Sequence, residues 1–370
     1  MKQEKPQLTS ILEVKEPLEP EGLDENEPID LGEYPLDSLM IRTDRRTVFD
    51  VCRRIDTGVY VLDPEFQRDF IWDEGKQCKL VESAIMRIPL PVFYLAETPE
   101  GKVVVVDGLQ RLTTFHRFLN NNLRLKGLEY AKTLNGKLFR ELSPKLQNRV
   151  EDTSLTLYLI DSQVPEQAKL DIFERVNSGQ PLTKQQMRNC LYLGNATRWL
   201  NRMAKSDEFQ AATDGGLNWK TMRDRECINR FLGFYENGLS NYTGNMDNFL
   251  KRVLEDKRDA PDSYWEGMTN RFLLSMELNR RVFGAYAFRK VKDGNRRSVI
   301  NVALFDVFSV LFAKYGEEIQ EKHDKPLQDG FLAMLEEEEF SDAISFATNG
   351  VKKVEFRFRR ANTMLEEVLR

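Results

Sequence analysis

Histidine is the scarcest chemically informative residue in this chain, with two in 370 residues, His116 and His323. A metal centre or nuclease finger built on several histidines therefore cannot be assembled from it. Cysteine is nearly as rare. Cys52, Cys78, Cys190 and Cys227 fall at no paired spacing, which argues against a disulfide framework or a zinc ribbon and fits a reducing cytoplasm. No apolar run approaches the roughly 20 residues of a membrane span, and the opening MKQEKPQ does not read as a secretory leader. A soluble, cytoplasmic protein with no membrane partner is expected. The phosphate-cradling pattern Gly-x-x-x-x-Gly-Lys-Ser/Thr is absent, and no period of roughly 20 to 50 residues repeats.

What is present is unevenly charged. The formal net charge is -5, yet residues 1–36 alone hold ten acids against three bases, with several prolines. Such a composition cannot support a core, so residues 1–37 read as a disordered or loosely docked arm. The arm either aids solubility, occludes a basic groove or docks a partner. Without it the body is close to neutral, so an acidic isoelectric point does not exclude a phosphate-bearing ligand.

The body is long enough for two domains. RRTVFDVCRRIDTG predicts a helix with Val48, Val51, Cys52 and Ile55 along one face, and Glu74 to Met86 predicts a second that IPLP ends. PVFYLAE and GKVVVVD read as strands paired across a turn at Pro99, Glu100 and Gly101. SPKLQNRVEDT is a capped short helix, LTLYLID a strand, and PEQAKLDIFERV and KQQMRNCLYLG are helices interrupted by NSGQP, with Thr183 placed to cap the second. A DNA-reading helix-turn-helix would look similar, but the second helix offers Lys184, Gln185, Gln186 and Arg188 with no obvious groove-reading face. From Asn195 onward strand signals nearly vanish and helical periodicity dominates. There the mixed signs of Arg223, Asp224, Arg225, Glu226 and Arg230 predict a solvated ion-pair surface. VKKVEFRFRR fits either a basic patch or a half-exposed helix. Domains are thus expected at 38–194 and 195–370.

The most informative stretch is VVVVDGLQRLTTFHRFL, residues 103–119. Four valines are too apolar and β-branched for a solvated segment, and after Gly108 the apolar Leu112, Phe115, Phe118 and Leu119 recur at helical spacing. This is a strand, a turn and a helix. Unpaired N–H groups and a partial positive charge at the helix N-terminus can hold an anion, with Gly108 letting backbone approach. Arg111 in the first helical turn is unfavourable to the helix dipole, which asks for a partner: a phosphate or carboxylate ligand, or an ion pair with Asp107. His116, in mid-helix, reads as a partly buried or surface helix residue.

DGLQRLTTFHRFL resembles the DGQQR box of the GmrSD-type restriction endonuclease N-terminal domain family, whose fold is ParB/sulfiredoxin-like. EFQRDFIWDEGKQCKLVESAIMRIPLPVFYLAE is similar to that family's opening YQR-x-x-x-W block and IPxPxxYL strand, and IFERVNSGQPLTKQQMR resembles its third segment, all in the family's order. Leu109 stands where the box has its first glutamine, and Phe66 where the block commonly has tyrosine. The resemblance implies a pocket, associated with nucleotide hydrolysis, in which box and block meet. It assigns phosphate and nucleotide contacts to Phe66, Gln67, Arg68, Gly108, Arg111, Thr114, Asn177 and Gly179. It assigns chemistry to Asp107, which would position a metal-bound or attacking water, to Gln110, which would orient phosphate or water, and to Arg111 on phosphate oxygens.

The expectation is an α+β protein, a ParB/sulfiredoxin-like domain followed by a helical domain, acting near DNA as an NTP-dependent sensor or regulator in restriction or antiphage defence. Its implied cofactors are an NTP and Mg²⁺, and its implied partner is an effector, nuclease or ATPase protein that would make any DNA cut. Two competing classes are a non-hydrolysing DNA-binding module and a nickase holding Mg²⁺ between Asp107 and Glu65 or Glu82.

Overall fold

The computed structural model describes residues 19–22, 40–62, 72–98, 101–176, 183–292 and 296–370. They fall into two units, one within Asp30–Leu191 and one within Tyr192–Arg370, the latter grouping with the segment Met1–Ile29.

The first unit runs β1 (Ile41–Thr47), α1 (Val48–Asp56), β2 (Tyr60–Val61), α2 (Glu74–Ile85), β3 (Phe93–Glu97), β4 (Val103–Asp107), α3 (Leu109–Leu119), α4 (Pro144–Glu151), β5 (Ser154–Ile160), α5 (Glu166–Val176) and α6 (Lys184–Leu191). Its five strands lie in the order β1-β5-β3-β4-β2. β1 is antiparallel to β5 and β3 to β4, whereas β5 with β3 and β4 with β2 are parallel, so the sheet is mixed. β4 is bonded on both sides, and Val103 to Val106 are all buried. That explains a continuous apolar run where a half-exposed strand would alternate.

The helix expected from Arg45 starts three residues later. Ile41–Thr47 instead form an edge strand, which a hydrophobic pattern could not reveal because its side chains are mostly exposed and polar. Thr47 closes it and caps α1, its hydroxyl accepting from the Asp50 N–H at 3.1 Å. Asp73 caps α2 in the same way, accepting from the Lys76 N–H at 2.8 Å. Thr183 and Gln186 form a reciprocal capping box on α6 at 2.8 and 3.2 Å.

The second unit continues with α7 (Asn195–Ala204), α8 (Asp207–Thr213), α9 (Arg223–Asn237), α10 (Met246–Asp256), α11 (Asp262–Phe283), β6 (Arg289–Lys292), β7 (Arg296–Ile300), α12 (Val302–Tyr315), α13 (Asp324–Glu336), α14 (Glu338–Ala343) and α15 (Val351–Leu369). Among the described residues it is helical apart from the β6–β7 pair, which the sequence pattern does not foretell. α12 is buried on every side from Val302 to Ala313 and packs against α9, α11 and α15. Among the described residues no helix is long and apolar enough to cross a membrane.

Of the acidic arm, Glu19–Gly22 are described, and they pair with the β7–α12 junction of the helical unit.

Candidate functional site

β4 ends at Asp107 and α3 begins at Leu109, so a single residue must reverse the chain. Gly108 does so at φ 102° and ψ 8°, in left-handed space that a side chain disfavours. Space forbids a side chain as well. A Cβ at Gly108 would lie 2.3 Å from Cδ1 of Phe93, which stands on the neighbouring strand β3. The N-terminus of α3 receives no side-chain cap from Gly108; the first intrahelical bond runs from the Leu112 N–H to the Gly108 carbonyl at 2.9 Å. The first-turn amide groups of a helix lie beyond the reach of its own i→i−4 bonds.

Arg111 lies one turn into α3, folded back over the same phenylalanine, with its guanidinium carbon 4.2 Å from the Phe93 ring centroid. Nη1 donates to the Pro91 carbonyl at 2.6 Å, and Nη2 donates to the Val92 carbonyl at 3.0 Å and to Asp107 Oδ2 at 2.8 Å. The side chain is 12% exposed. Burial lowers its pKa, against the opposing pull of Asp107, but arginine remains a cation throughout the ordinary pH range. The ion pair with Asp107 thus exists. Together the three bonds use three of the five N–H donors of the guanidinium, and the other two have no acceptor among the described residues. Asp107 is 36% exposed, and its Oδ1 makes no side-chain hydrogen bond among the described residues.

Gln110 points the other way, towards the end of the aromatic block. Its Oε1 accepts the Trp72 N–H at 3.1 Å, while the Trp72 carbonyl accepts from Gln77 Nε2 at 2.8 Å. Gln77, buried on α2, in turn accepts from Arg117 Nη1 at 2.7 Å. Both backbone polar groups of Trp72 are thereby held by side-chain amides from α2 and α3, fixing Trp72 beside the box. Phe66, Gln67 and Arg68 lie outside the described residues, as do Glu65, Asn177 and Gly179. Thr114 is fully buried, and its hydroxyl donates to the Gln110 carbonyl at 2.7 Å, so its one proton is engaged within its own helix. Sequence reasoning passed over Phe93, Trp72 and Gln77. All three lie in the segment similar to the family's block and strand, and Gln77 could have been found as a polar residue among Cys78, Val81 and Ala84 on the buried side of α2.

Other candidates have structural work. Glu82 cannot serve the nickase alternative as drawn, because Oε1 accepts from the Tyr130 and Ala131 N–H groups at 2.8 Å each and Oε2 from the Glu129 N–H at 3.3 Å. Burial alone would raise its pKa. The three backbone donors outweigh burial and bring it below the usual carboxylate range. His116 sits half-buried on α3 as expected, with Nε2 2.7 Å from Asp56 Oδ1 and 3.1 Å from Asn120 Nδ2. Among the described residues no three His, Cys, Asp or Glu side chains are grouped to hold a metal ion.

On α6, Gln185, Gln186 and Arg188 are buried, with Gln185 bonded to Asn189 at 2.8 Å and to Arg188 at 3.0 Å. A helix with these residues covered has no face left to read a DNA groove.

The solvated ion-pair surface expected on α9 is overturned. Arg223, Asp224, Arg225, Glu226 and Arg230 are all buried, because α9 is covered by α7, α10 and α12. Arg230 grips Asp306 of α12 with Nε at 2.8 Å and Nη2 at 2.6 Å, and Arg357 of α15 reaches the same carboxylate at 2.9 Å. All three are essentially inaccessible. Arg357 also donates to the Thr348 carbonyl. VKKVEFRFRR is accordingly the start of a half-buried helix, one of its arginines a structural member of the core.

No curated protein matches the chain at a significant level. Residues 48–193 match the family of the GmrSD restriction endonuclease, N-terminal domain, a range that holds the β4–Gly108–α3 turn, Trp72 and both helices around the NSGQP segment. The match covers residues 48–193 of the 370, from α1 to just past α6, and it is this part of the chain that is similar to the GmrSD restriction endonuclease N-terminal domain.

Proposed function

We propose that this chain is a nucleotide-binding, NTP-hydrolysing sensor or regulatory protein of a restriction or antiphage defence system, with its phosphate site at the Asp107–Arg111 turn. The similarity of residues 48–193 to the GmrSD restriction endonuclease N-terminal domain supports the association with restriction. The observation that carries the site is the pairing of a partly exposed Asp107, held through one oxygen by Arg111, with an α3 N-terminus opened by Gly108, which offers no side-chain cap. The donor set fits triphosphate chemistry. Amide groups of the first turn and the two remaining Arg111 N–H groups take phosphate oxygens, and Gly108 permits the approach. Asp107 Oδ1 would orient the attacking water, or would hold a Mg²⁺ that would supply charge stabilisation for the phosphates. Gln110 holds Trp72, keeping the block against the box, and Phe66, Gln67, Arg68, Asn177 and Gly179 complete the nucleotide contacts. Any DNA cleavage is assigned to a nuclease module other than these residues, whose two histidines form no histidine-metal centre.

The test is nucleotide binding and phosphate release by the purified full chain beside Asp107→Asn and Arg111→Ala, with folding checked by circular dichroism. Asp107→Asn is expected to bind and not turn over. Arg111→Ala is expected to lose about 10- to 100-fold in affinity, the equivalent of one charge-assisted contact. A wild-type chain that binds no NTP, or binding unchanged in Arg111→Ala, refutes the site.

A further inference from the structure

The described part of the acidic arm is held as a bound peptide is held. Glu21 forms a parallel bridge with Asn301: its N–H donates to the Ile300 carbonyl at 2.8 Å, and its carbonyl accepts the Val302 N–H at 2.9 Å. Val302 is the first residue of α12, whose cap Asn301 accepts from the Leu304 N–H at 3.0 Å. The arm therefore satisfies a helix-terminal donor that the cap itself does not reach. Side chains add selectivity at alternate positions. Glu21 accepts from Lys290 Nζ at 2.6 Å and from Asn301 Nδ2 at 3.5 Å, and Glu19 from Arg223 Nε at 3.1 Å and Asn218 Nδ2 at 3.2 Å. Pro20 between them is buried. Gly22 turns away at φ 93°, its carbonyl accepting from the Thr348 hydroxyl at 2.9 Å.

Main-chain pairing for affinity, with acidic side chains read on basic partners and a buried proline between, is the pattern of strand-addition peptide recognition. We propose that the β7–α12 junction is a socket for an extended acidic peptide of the form Glu-Pro-Glu-Gly, filled in cis by Glu19–Gly22 and able to exchange that segment for the same sequence supplied in trans. A protein partner carrying such a segment would dock here by displacing the arm. Nucleic acid is disfavoured as the occupant, because two main-chain hydrogen bonds and a proline pocket are features a phosphate backbone does not use. The backbone partners, Ile300 and Val302, belong to the core of the helical unit, and the carboxylate partners Lys290 and Arg223 flank them. All four partners stand on β6, β7, α9 and α12, outside the arm itself.

The probe is a fluorescent peptide of residues 14–27, VKEPLEPEGLDENE, titrated onto the full chain. In the wild type the tethered arm competes at an effective concentration on the order of millimolar, so the peptide is excluded. Glu21→Lys disables the tethered copy and leaves the socket intact, so peptide affinity is expected to rise at least tenfold, and a scrambled peptide of the same composition is expected not to bind. Lys290→Glu alone is expected to release the arm and to bind a peptide carrying the matching Glu21→Lys change, while adding Glu21→Lys to the chain reverses the ion pair, reseats the arm and is expected to exclude that same peptide. Equal peptide affinity for wild type and Glu21→Lys overturns the proposal, as does equal binding of the scrambled peptide. Concentration-dependent dimers of the wild type that Glu21→Lys abolishes would overturn filling in cis.

Discussion

Replacing Gly108 by alanine tests the geometry on which the candidate site depends, and its cost can be worked from two separate features. The first is backbone: an L-residue at φ 102° pays roughly 1–2 kcal/mol for leaving the right-handed regions. The second is steric. A Cβ 2.3 Å from Phe93 Cδ1 and 2.9 Å from Cε1 forces a fully buried ring on β3 to move, an overpacking of about 1–3 kcal/mol. Together they predict a loss of about 2–5 kcal/mol, a large fraction of an ordinary domain's stability of roughly 5–15 kcal/mol. Hydrogen exchange of peptides spanning β4 and α3 reads this locally, without mixing in the helical unit. Protection there is expected to fall by roughly 30-fold to several thousand-fold, at about 1.4 kcal/mol per factor of ten. Phe93→Leu separates the two features, because the branched side chain can turn its end aside. In that background the cost of Gly108→Ala is expected to shrink to the backbone share of about 1–2 kcal/mol. The same cost in both backgrounds, or one below about 0.5 kcal/mol in the wild type, would refute the account of why glycine stands between Asp107 and Leu109.

Two further outcomes follow from buried charge. Asp306→Asn removes the one carboxylate shared by Arg230 and Arg357, leaving two inaccessible cations, and urea denaturation of the helical unit is expected to show a loss of about 3–5 kcal/mol. A loss under about 1 kcal/mol would show that the two guanidiniums are compensated elsewhere. Glu82 gives a pH dependence. Its carboxyl has a lower pKa folded than unfolded, so its contribution is complete above the unfolded range near about 4.3 and disappears as pH falls through the lower folded value. Glu82→Gln is expected to flatten the acid limb of the stability curve and to speed exchange at Glu129 to Ala131; an unchanged acid limb would exclude it as a contributor.

The box and its turn were legible in the sequence because each rests on a local rule. Four β-branched residues followed by Asp-Gly and a 3.6-residue period admit little besides a strand, a turn and a helix, and Thr183 with Gln186 specifies a capping box from its spacing alone. The edge strand β1 was hidden because mostly polar, exposed side chains leave no period to detect. What Arg111 does was left open between an anion and Asp107; the fold resolved part of this by bringing the Pro91 and Val92 carbonyls and the Phe93 ring to the same guanidinium from another strand.

The charges of α9 were misread for the complementary reason. Alternating acids and bases along a helix look the same whether water or protein surrounds them, and only the packing of α7, α10 and α12 around α9 decided that they are buried. One clue was present in the sequence: Asp306 lies within the otherwise apolar VALFDVFSVLF, where a lone acid calls for a cationic partner. Which arginines answer it, one from α9 and one from α15, separated by 76 and 51 residues from that acid, could be settled only by tertiary structure. Local sequence determined strands, caps and the glycine turn because those depend on neighbours along the chain. Partners of buried charges, and the seat of the acidic arm, depend on neighbours in space.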